Sequence, residues 1–131
     1  MKTTKADKHF SLYIRLRDAD ENCVGTCITC GIRKEVKYMD CGHYIKRQHM
    51  ATRFSEINCH TQCKRCNAFE QGNDAKFRQA LVILYGEINV NLLETERYKT
   101  VKRSAFEMDV IANHYKEKAI ELAKEKGIEL W

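Results

Sequence analysis

CKRCNAFEQGN, residues Cys63 to Asn73, sets two cysteines, two asparagines and a glutamate close together. Cys63 and Cys66 have the Cys-x-x-Cys spacing of a zinc knuckle, and Asn67 follows the second cysteine directly. A matching pair, Cys27 and Cys30, stands thirty-two residues upstream. Two such pairs supply four thiolates, which suits the tetrahedral preference of structural Zn2+ and leaves no open coordination position. A metal held this way organises the chain and does not catalyse. The gap between the pairs is longer than in a compact zinc ribbon and leaves room for an inserted hairpin. Cys23, Cys41 and Cys59 are spare; Cys23 competes with Cys27 but lies outside the two-residue spacing.

The remaining composition bounds the class. With 131 residues the chain is long enough for one domain with a modest core. No apolar run is long enough for a membrane span, and the polar start MKTTKADKHF lacks the apolar stretch of a secretory signal. A cytoplasmic location is therefore expected. In a reducing compartment seven cysteines, an odd number, argue for metal and against a disulfide framework. The net charge is +5, and Lys46, Arg47, Arg53, Lys64 and Arg65, opposed only by Glu56, place +4 of it between Cys41 and Cys66. Basic charge beside a metal knuckle suits a polyanionic partner such as DNA, because each neutralised phosphate releases counterions. A solvated basic face is the plainer alternative.

Proline is absent and nothing reads as a linker or repeat. The spacing predicts an N-terminal helix over 5–20, with Phe10, Tyr13, Ile14 and Arg17 on one face. CVGTCITCGIRKE reads as a loop or knuckle, EVKYMDCGHYI as a strand or hairpin arm, and EINCHTQC as a shorter strand. A helix is expected to begin near Cys66 and to bend at Gly72. It resumes after Asn73 or Asp74 and ends at Gly86. Residues 87–131 read as a helical extension whose long helix, roughly 104–126, carries Met108, Ile111, Ala112, Tyr115, Ala119 and Leu122 as one stripe. The expected class is α+β: a zinc-stabilised core over 23–86 flanked by an N-terminal helix and C-terminal helices.

The zinc would hold this hairpin against the following helix and so bring His43 near Asn67. A neutral imidazole can take a proton from water near physiological pH. The amide oxygen of Asn67 is a hard donor suited to Mg2+ or Mn2+, and Glu70 shares its helix face as a further candidate. Asp40 shares a strand face with Gly42 and is a candidate carboxylate ligand. Asn58, on the returning strand, is placed to pin the loop backbone and orient the histidine. Each has a plainer reading: a surface histidine, a first-turn asparagine, a solvated glutamate favoured near a helix N-terminus, or a turn cap. His49 and His60 are equally open.

The order GHYI…EINCHTQCKRCN resembles the HNH nucleases, in the variant ending in asparagine. The resemblance implies a ββα-metal module in which His43 is the general base, Asn58 orders the loop and Asn67 is the terminal metal ligand. CKRCNAFE is also similar to a stretch of the phage T4 junction-resolving endonuclease VII. A broader resemblance, over ADKHFSLYIRLRDAD, CITCG, MDCGHYIKRQHMATRFSEIN, HTQCKRCNAFEQGN and LYG, is to the phage lambda NinG (Rap) recombination family. It implies cleavage of branched DNA, Holliday junctions or D-loops, in the bacterial host cytoplasm. One departure stands out: the residue before the histidine is Gly42, where HNH enzymes usually carry aspartate.

The implied chemistry is metal-dependent phosphodiester hydrolysis by an endodeoxyribonuclease, with structural Zn2+ and catalytic Mg2+ or Mn2+. Lys46, Arg47, His49, Arg53, Lys64 and Arg65 are candidate DNA contacts, of which the arginines can grip phosphate with two bonds. Backbone contacts position DNA without reading its bases, so selectivity for structure is expected. Two symmetric nicks in a four-way junction favour a homodimer. The rivals are a noncatalytic zinc-stabilised DNA-binding protein, a nonspecific HNH nicking nuclease and, third, a protein-interaction scaffold.

Overall fold

Thr4 opens the first helix, α1 (Lys5–Asp18), through a reciprocal cap: its hydroxyl accepts from the Asp7 amide while the Asp7 carboxylate accepts from the Thr4 amide. In the computed structural model, which describes all of residues 1–131, the chain is α+β. It has two small antiparallel sheets of two strands each, with helices at both ends. The first sheet pairs β1 (Val24–Thr26) with β2 (Arg33–Glu35). The turn between these strands carries Cys27 and Cys30, so the segment read as a loop is a short hairpin built around the knuckle. Val36–Tyr38, read as part of a strand, is a single 3-10 turn leading into β3 (Asp40–His43).

β3 pairs with β4 (Cys59–Gln62), in a register that sets Asp40 against Gln62, Gly42 against His60 and His43 against Cys59. The loop between them contains one turn of helix, α2 (Met50–Arg53). After β4 the chain makes a π-helical turn over Arg65–Phe69, bends at Gly72 with a φ of 87°, and enters α3 (Asp74–Tyr85). The bend was legible because Gly72 and the left-handed Asn73 interrupt an apolar pattern that Phe77 and Leu81 resume. Gly86, φ 84°, separates α3 from α4 (Glu87–Glu96), a helix the sequence reading left unseparated within its extension. The last helix, α5 (Ala105–Lys126), starts at a second reciprocal cap between Ser104 and Glu107 and closes at left-handed Gly127.

α1 lies between the second sheet and α5. Phe10 and Ile14 pack with Cys59 and Tyr115, and Leu16 packs with Ala119 and Ala123. The two helices therefore run side by side in the same direction. Their ends are tied: Lys126 Nζ donates to the carbonyls of Leu16, Arg17 and Ala19 at 2.7, 3.0 and 2.7 Å. The last carbonyls of a helix lack i+4 amide partners, although Leu16 also accepts from the Ala19 amide, and the ammonium suits the negative end of the helix dipole. A separate apolar cluster joins α3 and α4 to the ribbon through Ile45, Phe77, Leu81, Val90 and Leu93. No helix is long and apolar enough to cross a membrane.

Candidate functional site

Four sulfurs, from Cys27, Cys30, Cys63 and Cys66, lie within 4.8 Å of one another, and those of Cys30 and Cys63 are 3.7 Å apart. Tetrahedral zinc with four thiolates requires sulfurs about 3.8 Å apart. The donor set fits a structural Zn2+, which would clamp the β1–β2 turn onto the π-helical turn after β4. Two thiols of the cluster shift their protonation in opposite directions. Burial raises the Cys27 thiol, but amide donors from Cys63, Thr29 and Cys30 and the Thr29 hydroxyl outweigh it and bring it to about 6. Burial and the neighbouring thiols push Cys63 up to about 12. Binding a cation would release the thiol protons of its ligands. Cys23 stays outside the cluster.

The clamp places Asn67 beside the start of β3. Its amide Nδ2 donates to Asp40 Oδ2 at 3.0 Å, and Lys64 Nζ reaches the other carboxylate oxygen at 2.6 Å. Asp40, Asn67 and His43 all border one cleft of about 790 Å3. His43 Nε2 lies 2.9 Å from the carbonyl oxygen of Arg53. A carbonyl can only accept, so Nε2 carries the hydrogen and Nδ1 keeps the lone pair. Burial lowers the imidazole pKa below its ordinary value, outweighing the Arg53 and Cys41 backbone contacts that favour the charged form. His43 is thus neutral at pH 7, with its tautomer set by the loop.

That loop is held by Asn58, which is fully buried. Its Oδ1 accepts from the Ile45 amide at 2.7 Å, while Nδ2 donates to the carbonyls of Ile45 at 2.9 Å and Thr52 at 3.2 Å. The Arg53 carbonyl is next in line. The Arg53 side chain has a different place from the one expected of a DNA contact. It is only 5% exposed and forms a two-bond ion pair with Asp7, so its guanidinium does not face solvent. Burial would raise the Asp7 carboxyl, yet the bonds from Arg53 and Thr4 hold it below the usual carboxylate range. Asp7 therefore serves twice, in the cap of α1 and as the anchor of the His43 loop.

Of the other expected contacts, Lys46, Arg47 and Lys64 line the cleft, whereas His49 and Arg65 do not. Glu70 also lies outside it, an exposed side chain 3.9 Å from Arg65. Lys46 Nζ bonds Asp74 at 2.8 Å, and Arg47 donates to Thr3 and to the Met1 carbonyl. Three cations missed by the sequence reading complete the cleft: Lys8 and Arg15 from α1, and Lys37 from the 3-10 turn. Lys8, Ser11 and Arg15 share a helix face, so their alignment was legible, but nothing local said what they face. The cleft thus gathers six cations against Asp7 and Asp40.

Gly42 and His60 have structural explanations. A Cβ at Gly42 would collide with the side chain of Gln62, which is fully buried and donates to the Gly72 carbonyl at 2.8 Å. The position before His43 is therefore occupied by packing from β4. His60 lies between Arg17 at 3.1 Å and the Tyr85 hydroxyl at 2.9 Å, and burial followed by Arg17 lowers its pKa to about 4. It is a neutral packing group. The sequence model of the family described as Bacteriophage Lambda NinG protein matches residues 2–125, a span that includes nearly all of α5. Searches of the curated proteins and of the solved structures return no match.

Proposed function

The chain belongs to the bacteriophage lambda NinG family, and on that premise we propose that it is a metal-dependent DNA endonuclease of the HNH type, selective for branched DNA such as Holliday junctions or D-loops and acting in phage recombination. In this reading β3, β4 and the π-helical turn are the ββα-metal module. One observation carries the proposal: a neutral histidine with a defined lone-pair nitrogen shares a cationic cleft with a paired carboxylate and amide.

Asp40 and Asn67 offer hard oxygen donors suited to Mg2+ or Mn2+ once the Asn67 amide turns its oxygen inward. A divalent ion held there would supply charge stabilisation for the phosphate and the leaving 3′-oxygen. His43 Nδ1 takes the proton of the attacking water. The Arg53 carbonyl keeps Nε2 protonated and fixes the ring, and Asn58 keeps that carbonyl in place. Lys8, Arg15, Lys37, Lys46, Arg47 and Lys64 hold the flanking phosphates. Because these are backbone contacts, they select the shape of the substrate and not its bases. Paired nicks in a four-way junction call for two copies of the chain, an arrangement that sedimentation with junction DNA tests.

Gly42 favours a second reading. With Gln62 filling that position, the aspartate usual before the HNH histidine has no counterpart, as befits a noncatalytic zinc-stabilised DNA-binding protein. One experiment separates the two. Labelled four-way junction, linear duplex and single strand are incubated with Mg2+ or Mn2+ and either wild type or His43→Ala. Junction-preferring nicks that fall at least ~100-fold in the variant, with binding retained, are expected of a general base. Equal cutting of every substrate would leave a nonspecific nicking enzyme, and tight binding without any cutting would leave the binding protein.

A further inference from the structure

Outside the four-cysteine cluster, a second set of soft donors converges on the β3–β4 ribbon. Cys41 and His43 alternate with Gly42 along β3 and project to the same face. The register places Cys59 of β4 directly across from His43. The two sulfurs and a ring nitrogen of His43 lie within 4.8 Å of one another. Cys59 is fully buried, while Cys41 and His43 both border the cleft. The spare cysteines thus differ: Cys23 stands apart, and the other two flank the proposed base.

We propose that Cys41, His43 and Cys59 form a second site for a soft divalent cation of the zinc class, distinct from the structural zinc, and that its occupancy silences His43. The second half rests on His43 being the base. Two thiolates and an imidazole make a three-ligand set that leaves a fourth position open, and two of its members, Cys41 and His43, border the cleft. Two thiolates also neutralise the ion's charge. Sulfur selects against Mg2+, whereas the Asp40 and Asn67 oxygens suit it, so two classes of cation sort to two parts of one cleft. Occupancy disables the base whichever nitrogen binds. Ligation through Nδ1 consumes the lone pair; ligation through Nε2 displaces the Arg53 carbonyl that sets the tautomer.

The test uses the full chain, reduced and loaded with one equivalent of Zn2+, titrated with Co2+. Wild type is expected to take up one further ion with thiolate-to-cobalt charge-transfer absorption. Cys41→Ser and Cys59→Ala should each weaken this uptake by roughly tenfold or more while keeping the first zinc by native mass. Zn2+ beyond the first equivalent should stop Mg2+-supported junction cleavage by wild type, and a mild chelator should restore it. Cys41→Ser should cleave normally and resist that inhibition. No further uptake, uptake without thiolate absorption, or a Cys41→Ser titration matching wild type would overturn the site. A thiolate–cobalt signal in a chain that cuts no DNA would uphold the site and overturn the nuclease reading.

Discussion

Two histidines on adjacent strands of one ribbon have opposite duties because of what surrounds each ring. His43 has one nitrogen on a carbonyl and borders the cleft, whereas His60 is closed in by Arg17 and Tyr85. The His60 value of about 4 lies below the ordinary 6.5. The native state therefore favours the neutral ring, and the unfolded chain binds the proton first on acidification. Stability from this group is complete above about pH 6.5 and is lost as pH falls from there to about 4. Urea unfolding between pH 7 and 4 should show that decline, and a His60→Gln variant should show a shallower one. Identical slopes would remove His60 from the account.

At the scale of an element, the β3–β4 loop is what converts a histidine on a strand into an oriented group. Fourteen residues separate His43 from Asn58 along the chain, yet three bonds from the Asn58 amide close the loop. Asn58→Ala would strand the Ile45 amide and carbonyl in a dry interior, at a cost of about 3 kcal/mol or more in unfolding free energy. Amide exchange at Ile45 should accelerate, and the cleavage proposed above should fall with it as the Arg53 carbonyl drifts. Unchanged exchange would mean that the loop is held by other contacts. The Arg53–Asp7 pair is one further hold, and it ties the loop to the first turn of α1.

For the whole molecule, the cysteine cluster replaces hydrophobic area the chain does not have. The cluster joining Ala19, Val36 and Met39 is completed by Cys27, Cys63 and Cys66. Zinc held by such a set contributes on the order of 10 kcal/mol, and that free energy is folding free energy. A strong chelator should therefore unfold the β1–β2 hairpin and the Asn67 turn. Circular dichroism should record the loss, and the proposed DNA cleavage should end even in excess Mg2+. Helices α1 and α5 have their own caps and a shared apolar seam, so part of the helical signal should persist. A chain that keeps its full spectrum and activity after chelation would refute a structural role for the metal.

The sequence by itself determined what depends on near neighbours. The Cys-x-x-Cys spacings placed the four candidate zinc ligands, and Gly72 and Gly86 marked where an apolar rhythm breaks. Asn58 was readable as a loop-pinning residue from its place on the returning strand, five residues before Cys63. Only the tertiary structure decided what depends on burial and on distant partners. It put Arg53 against Asp7 inside the fold and left Lys8, Arg15 and Lys37 facing the cleft. It also set Cys59 across the ribbon from His43. A charge reads the same in the sequence whether it will be desolvated or not. Its partner, forty or more residues away for Arg53 and Asp7, is chosen by packing.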